Sequence, residues 1–202
     1  MDLLLPRRCA GCGAAGAHLC ARCRQVLATP PQRIHTRIDP HVPVWSFGPY
    51  ADTHRRVVLA MKEQQNMAVR AHLGAVLAAG IRHLVARGEL EGFPAPVLVP
   101  APTRARNARL RGGDPVTAVC RASGWTVSSA LRHRDSVADQ VGLGVDKRRD
   151  NLAGAVELRR VPGAPVLLID DVATTGATLA ASSEVLFAAG CTVSGAIVIC
   201  HA

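Results

Sequence analysis

The segment from residue 166 to residue 178 constrains the fold more than any other part of this 202-residue chain. It reads Val-Leu-Leu-Ile-Asp-Asp-Val-Ala-Thr-Thr-Gly-Ala-Thr. The apolar run 166–169 predicts a buried strand that stops at two acids, and a helix is predicted over 177–189 with Gly190 as its stop. A strand, a hydroxyl-rich turn and a helix N-terminus together form an anion site, because free backbone N–H groups and the helix dipole favour phosphate.

The polar residues of this segment divide into two groups by what they can bind. Asp170 and Asp171 end the predicted strand, where carboxylates can accept hydrogen bonds from sugar hydroxyls. The next residues can surround a phosphate with N–H groups and hydroxyls; they are Ala173, Thr174, Thr175, Gly176, Ala177 and Thr178. An acidic turn that only caps a core helix is the alternative interpretation, and two adjacent acids alone would favour it.

Four of the seven cysteines lie in two Cys-x2-Cys pairs near the N-terminus, namely Cys9, Cys12, Cys20 and Cys23. Two such pairs joined by a short loop can place four sulfur atoms in a tetrahedron around one Zn2+ ion. A closed set of four thiolates leaves no open position, so this ion would be structural. Reduced cysteines without a metal and a redox pair are the alternatives, and the spacing favours zinc.

The composition indicates a globular chain without a membrane segment. Hydrophobic residues make up 49% of the sequence and aromatic residues only 3%, so the core must consist mainly of Ala, Val and Leu. The longest apolar runs are far shorter than the roughly 20 residues that cross a bilayer. The first residues also lack the charged start and long apolar stretch of a signal peptide. We therefore expect a cytoplasmic protein with no membrane insertion.

Alternating strand and helix patterns predict an α/β fold with a mostly parallel sheet and helices on both faces. The predicted strands and extended segments are 44–47, 97–100, 126–131, 166–169 and 192–199. The predicted helices are 21–28, 54–62, 68–86, 116–122 and 177–189. Several prolines between residues 29 and 43 predict a linker. The chain therefore divides into a zinc knuckle (residues 1–28), a linker (29–43) and a main domain (44–202).

A second loop follows a predicted strand and is rich in arginine. Ligands bind beyond the carboxyl ends of strands in open α/β sheets, and loop 101–113 follows the strand 97–100. The arginines of this loop are Arg104, Arg106, Arg109 and Arg111. The net charge is +9, and residues 103–160 hold twelve basic and six acidic residues. Such a basic region suits either a polyphosphate or a nucleic acid, and the sequence alone does not separate them.

The acid pair and the Thr-Thr-Gly turn resemble the phosphoribosyl pyrophosphate (PRPP) signature of type I phosphoribosyltransferases. A four-cysteine knuckle ahead of such a domain resembles the ComF family, which is associated with natural competence and DNA uptake. Residues 44–62, 97–112 and 135–152 agree with further segments of that family. The resemblance therefore extends over nearly the whole chain and implies a type I phosphoribosyltransferase fold.

The resemblance also implies a ligand and a role for each group of site residues. PRPP would bind with Mg2+, and Asp170 and Asp171 would contact the ribose hydroxyls. Residues 173–178 would hold the 5-phosphate. The four arginines of loop 101–113 would hold the pyrophosphate. Apart from the resemblance, the candidates for a general base are His133, Asp135 and Asp139, and exposed loop residues without a catalytic role are the alternative interpretation of each.

Two functions from different classes follow from these expectations. The first is a phosphoribosyltransferase that moves a phosphoribosyl group to an unidentified acceptor, in DNA uptake or nucleotide metabolism. The second is a non-catalytic competence module that binds single-stranded DNA and uses its PRPP pocket to sense a ligand. In both cases a protein of the competence machinery is a candidate partner. The scarcity of aromatic residues counts against a surface on which DNA bases stack.

Overall fold

The computed structural model describes residues 7–63, 66–90, 95–103, 113–134 and 156–202. The strands are β1 (Gln32–Ile34), β2 (Val44–Ser46), β3 (Val97–Pro100), β4 (Leu131–His133), β5 (Val156–Leu158), β6 (Val166–Ala173) and β7 (Val193–His201). The helices are α1 (Ala21–Leu27), α2 (Asp52–Glu63), α3 (Met67–Ala86), α4 (Pro115–Ala122) and α5 (Ala177–Ala188).

Five strands form one sheet in the order β1-β2-β7-β6-β3. β1 is antiparallel to β2, and the other neighbouring pairs are parallel. The register places Ile169 of β6 opposite Pro100 of β3 and Ile197 of β7. β4 and β5 pair antiparallel as a separate two-stranded ribbon. The structure therefore confirms a mostly parallel sheet in an α/β fold.

The central strand β6 supplies the core on both faces of the sheet, because successive side chains of a strand point to opposite sides. Leu167 and Ile169 lie in one buried cluster with apolar residues of α2, α3 and α4. Val166 and Leu168 lie in a second buried cluster with residues of α5. All four side chains are at most 1% exposed. Helices therefore cover both faces, as the continuous apolar run predicts.

β6 is longer than its apolar run, and this changes the place of the acids. The sequence predicts that the strand stops at residue 169, but the ladder with β7 continues through Asp170, opposite Val198, to Ala173, opposite His201. β7 is nine residues long and supplies partners for this extension. Both acids are therefore in the strand itself, and only the Thr-Thr-Gly turn lies beyond it.

Two further segments differ from the predicted pattern. The proline-rich stretch expected to be a linker contains β1, which pairs with β2 from Gln32 opposite Ser46 to Ile34 opposite Val44. The stretch expected to be extended over 126–131 meets the main sheet only at an isolated parallel bridge, between Val127 and Leu98 of β3, and its last residue, Leu131, begins β4. Short segments at the sheet edges pair through the backbone and carry little apolar pattern, which is why the sequence did not define them.

Candidate functional site

The acid pair lies in the carboxyl-terminal half of β6, just beyond the end of β3 and beside β7. Neither Asp170 nor Asp171 is fully exposed or fully buried. The backbone N–H of Asp171 donates a hydrogen bond to Asp170 Oδ1 over 2.8 Å. β3 ends at Pro100, which lies opposite Ile169, the residue directly before the acids. Loop 101–113 therefore begins at the same edge of the sheet. The sheet therefore brings the acid pair and the start of the arginine loop together.

A lysine from a distant helix contacts the second acid. Lys62, in the last turn of α2, donates from Nζ to Asp171 Oδ1 over 2.8 Å. Sequence reasoning did not identify this pair, because 109 residues separate the two partners. The sequence offers only a lysine at the end of an amphipathic helix, where the segment 44–62 noted above closes, and such a lysine by itself usually indicates a solvated side chain.

Burial and charge act together on the first acid. Burial, followed by the neighbouring Asp171 carboxylate, raises the pKa of Asp170 from 3.8 to about 8, although the Lys62 ammonium opposes this rise. Asp114, at the start of α4, adds a smaller effect in the same direction as burial. Asp170 therefore keeps its proton to a higher pH than an ordinary aspartate, and in that form it can donate a hydrogen bond as well as accept one.

The predicted phosphate loop joins β6 to α5. Gly176 is the N-cap residue of α5 and has a left-handed backbone, with φ at 85°. Its carbonyl accepts the first intrahelical hydrogen bond, from the N–H of Ala180 over 2.9 Å. Thr174 and Thr175 are exposed, and the Thr175 hydroxyl accepts from the N–H of Ala177 over 3.3 Å. The loop thus presents hydroxyls and a helix N-terminus at the edge of the sheet that carries the acids.

The segment between β1 and β2 (residues 35–43), called the arm below, packs against this loop. The backbone N–H of Ile38 donates to the carbonyl of Thr175 over 2.8 Å. A Cβ atom at Gly176 would lie 2.6 Å from both the Ile38 carbonyl oxygen and Thr36 Cβ. The arm therefore holds the loop from one side and requires a glycine there. No pattern in the sequence predicts this long-range contact.

The four cysteines of the two Cys-x2-Cys pairs come together at the N-terminus. Their sulfur atoms all lie within 4.8 Å of one another, and Cys12 Sγ is 3.7 Å from Cys20 Sγ. A tetrahedral zinc ion with Zn–S bonds of about 2.3 Å requires sulfur atoms about 3.8 Å apart. The backbone N–H of Cys20 donates to Cys9 Sγ over 3.3 Å. The donor set therefore fits a structural metal such as zinc.

The backbone around the cluster favours the thiolate form of one of its cysteines, Cys9. Burial opposes ionisation of the Cys9 thiol, but backbone N–H groups, led by that of Cys20, outweigh burial and lower its pKa to about 6. Thiolates are the form that binds zinc. Burial raises the pKa of Cys23 to about 12, and its Sγ lies 3.9 Å from the hydroxyl of Thr53 in α2. Cys9 and Cys23 also belong to the main core, so the cluster packs directly on the sheet domain.

Several predicted site residues fall outside the residues that the structure describes. They are Arg104, Arg106, Arg109, Arg111, Asp135 and Asp139. His133 lies in β4. Asp114, which follows the arginine loop, is the N-cap of α4, and its side chain accepts from the N–H of Thr117 over 2.9 Å.

The fold and the site together define an α/β protein with an acid pair and a hydroxyl-rich loop at the carboxyl edge of a mostly parallel sheet, and with an N-terminal four-cysteine cluster. No protein-family model and no curated protein matches this chain. Among the helices that the structure describes, none has the length and apolar character needed to span a membrane.

Proposed function

We propose that this chain is a ComF-like protein of the phosphoribosyltransferase class that binds PRPP, or a related phosphoribosyl ligand, together with Mg2+. One observation carries the proposal: β6, which carries the acid pair, is followed after only three residues by the hydroxyl-rich N-terminus of α5, so both lie at one edge of the sheet. Ligands of open α/β sheets bind at this edge. A phosphoribosyl group needs donors for its phosphate and acceptors for its ribose hydroxyls, and this edge supplies both.

The phosphate would lie on the loop from Thr174 to Thr178. Backbone N–H groups at the start of α5 and the positive end of its dipole favour an anion there. The exposed hydroxyls of Thr174 and Thr175 can donate to phosphate oxygens. Gly176 keeps the turn in a left-handed conformation that a residue with a side chain adopts only with strain.

The ribose would lie over Asp170 and Asp171, whose carboxyl groups orient its 2- and 3-hydroxyls. Within the described residues, the four cysteines form the only group of three or more His, Cys, Asp or Glu side chains at metal-binding distances. Mg2+ is therefore expected to arrive with the oxygens of the ligand, where it would offset the pyrophosphate charge. The arginines of loop 101–113 are the candidates for holding the pyrophosphate, since guanidinium groups match phosphate oxygens.

In a transferase, a nucleophilic atom of the acceptor forms a bond to the anomeric carbon of the ribose. The bond from that carbon to pyrophosphate breaks, and the pyrophosphate leaves with the electron pair. The carboxylate of Asp171 can offset positive charge that develops on the ribose. The acceptor is unidentified, and the expected setting is cytoplasmic, in DNA uptake or nucleotide metabolism.

Positive charge concentrated in the N-terminal segment favours the second candidate, a non-catalytic module that binds single-stranded DNA and senses a phosphoribosyl ligand. Residues 3–38 contain six arginines and no acid. Four of these arginines are exposed on or beside the cysteine cluster: Arg7, Arg8, Arg22 and Arg24. A cationic surface of this kind attracts phosphate backbones without regard to sequence.

One experiment separates the two functions. The purified zinc-loaded protein is incubated with PRPP, Mg2+ and candidate bases, while pyrophosphate release and PRPP binding are measured in parallel. Turnover supports the transferase, and binding without turnover supports the sensing module. If neither PRPP nor ribose 5-phosphate binds, the phosphoribosyl site itself is wrong.

A further inference from the structure

The candidate phosphoribosyl site contains a partly buried cation, Lys62, that forms an ion pair with Asp171. Only 22% of the Lys62 side chain and 14% of the Asp171 side chain are exposed. Exposed ion pairs are weakened by solvent and salt, whereas a partly buried pair is screened much less. The pair also joins α2 to the end of β6, two elements far apart in the sequence. Such a contact constrains the orientation of the Asp171 carboxylate.

We propose that Lys62 is a positioning residue of the phosphoribosyl site, where its ammonium keeps the Asp171 carboxylate oriented toward a ribose hydroxyl. The inference rests on the proposed function and adds a residue to its site. A carboxylate has two acceptor oxygens. Lys62 engages Oδ1, and Oδ2 is the second acceptor atom, available to a hydroxyl while the ion pair stays intact.

The last turn of α2, which carries Lys62, is itself held in place. Arg70 of α3 is only 4% exposed, and its Nε and Nη2 atoms donate to the carbonyl oxygen of Met61 over 3.3 and 3.0 Å. A cation at a helix C-terminus satisfies an otherwise unpaired carbonyl and interacts favourably with the helix dipole. Met61 directly precedes Lys62, so Arg70 fixes the backbone from which the ammonium reaches Asp171.

The electrostatics of the acid pair support the same role. Asp170 and Asp171 are adjacent, and burial together with mutual repulsion favours the protonated form of a carboxyl group. Without Lys62, both carboxyl groups would remain at the strand end with one cation fewer beside them. In the alternative role, Lys62 would occupy Asp171 and so compete with the ligand for that carboxylate. The two roles predict effects of opposite sign when the ammonium is removed.

The first test is calorimetric binding of ribose 5-phosphate to Lys62→Met, which keeps most of the side-chain stem and removes the charge. We expect about a tenfold loss of affinity, equivalent to about 1.4 kcal/mol. Lys62→Arg should recover most of this loss. Arg56→Met is the matched control, because it removes one exposed cation from the same helix. Unchanged or tighter binding by a folded Lys62→Met protein would overturn the proposal.

A double-variant cycle tests whether Lys62 acts through Asp171. Asp171→Asn should also weaken ribose 5-phosphate binding, and adding Lys62→Met to Asp171→Asn should cost little more, since the two changes remove one interaction. Losses that simply add would show that Lys62 acts independently of Asp171, and this would also overturn the proposal.

The second test does not require the protein to bind any ligand. The sequence contains only two lysines, Lys62 and Lys147, so protein labelled with ¹³C-lysine gives two Cε signals in NMR. The Lys62 signal is identified by its loss in Lys62→Met. Asp171→Asn should shift this signal, and an unmoved signal would refute the pair. If the wild-type protein binds neither PRPP nor ribose 5-phosphate but Asp171→Asn shifts the Lys62 signal, the proposed function fails while Lys62 stays assigned as the cation that orients Asp171.

Discussion

Substitution of Gly176 by alanine tests how the arm and the phosphate loop depend on each other. Gly176 has φ at 85°, and an alanine in the left-handed region costs roughly 1–2 kcal/mol. The new Cβ would also lie 2.6 Å from both the Ile38 carbonyl oxygen and Thr36 Cβ. Both neighbours belong to the arm, so either the arm or the loop must move. Overpacking of this kind costs about 1–3 kcal/mol, so Gly176→Ala should lose about 2–5 kcal/mol of unfolding free energy.

Gly190 provides a matched control at the other end of the same helix. Its φ is 75°, but a Cβ atom there would meet nothing within 4 Å. Gly190→Ala should therefore lower the unfolding free energy only by the strain of an alanine with a left-handed backbone, about 1–2 kcal/mol. The difference between the two variants isolates the contact with the arm. Urea denaturation of the zinc-loaded proteins, followed by circular dichroism, measures both losses under the same conditions.

The loop contact also predicts an effect on the ligand. A displaced arm or loop would change the positions of the Thr175 and Ala177 backbone groups, so Gly176→Ala should weaken ribose 5-phosphate binding and Gly190→Ala should not. Equal losses of stability in the two variants would refute the argument that the arm requires a glycine at position 176. A Gly176→Ala protein that is as destabilised as expected but binds normally would show that the phosphate does not use this loop.

Three other perturbations test separate parts of the molecule. Cys20→Ser should lose the stoichiometric zinc and loosen the N-terminal segment while the sheet remains; metal analysis showing no zinc in the reduced wild-type protein would contradict this expectation. Burial raises the pKa of Asp170 in the folded protein from 3.8 to about 8, so the wild-type protein loses stability as the pH rises from about 4 to about 8. Asparagine carries no charge at any of these pH values, so Asp170→Asn should stabilise the protein more at pH 8 than at pH 5. Single-stranded DNA should bind weakly, with each phosphate contact adding about −0.7 to the slope of log affinity against log salt. Neutralising Arg104 and Arg106 should reduce that slope by about one unit or more, and unaffected binding would leave these arginines without a DNA role.

The parts of the fold that the sequence predicted are those with strong local patterns. The strand at 97–100 was predicted with its observed bounds, because a short apolar run between prolines allows few alternatives. The four cysteines were expected together because Cys-x2-Cys spacing brings sulfur atoms close through local turns. β1 was missed because its residues are mostly exposed and it forms only by pairing with β2. Its place at the edge of the sheet explains why the expected linker in fact leads into the arm.

The two contacts that organise the candidate site were beyond sequence reasoning for a common physical reason. Both contacts join segments that are more than 100 residues apart in the chain. Lys62 forms an ion pair with Asp171, and the N–H of Ile38 donates a hydrogen bond to the carbonyl of Thr175. Local patterns report which face of an element is buried, but they do not report which elements meet at the end of a strand. The acids and the glycine were found because their chemistry is local to one strand–turn–helix unit. Their partners depend on how α2 and the arm pack. The orientation of the acids and the position of the loop are therefore set by residues that lie outside this strand–turn–helix unit.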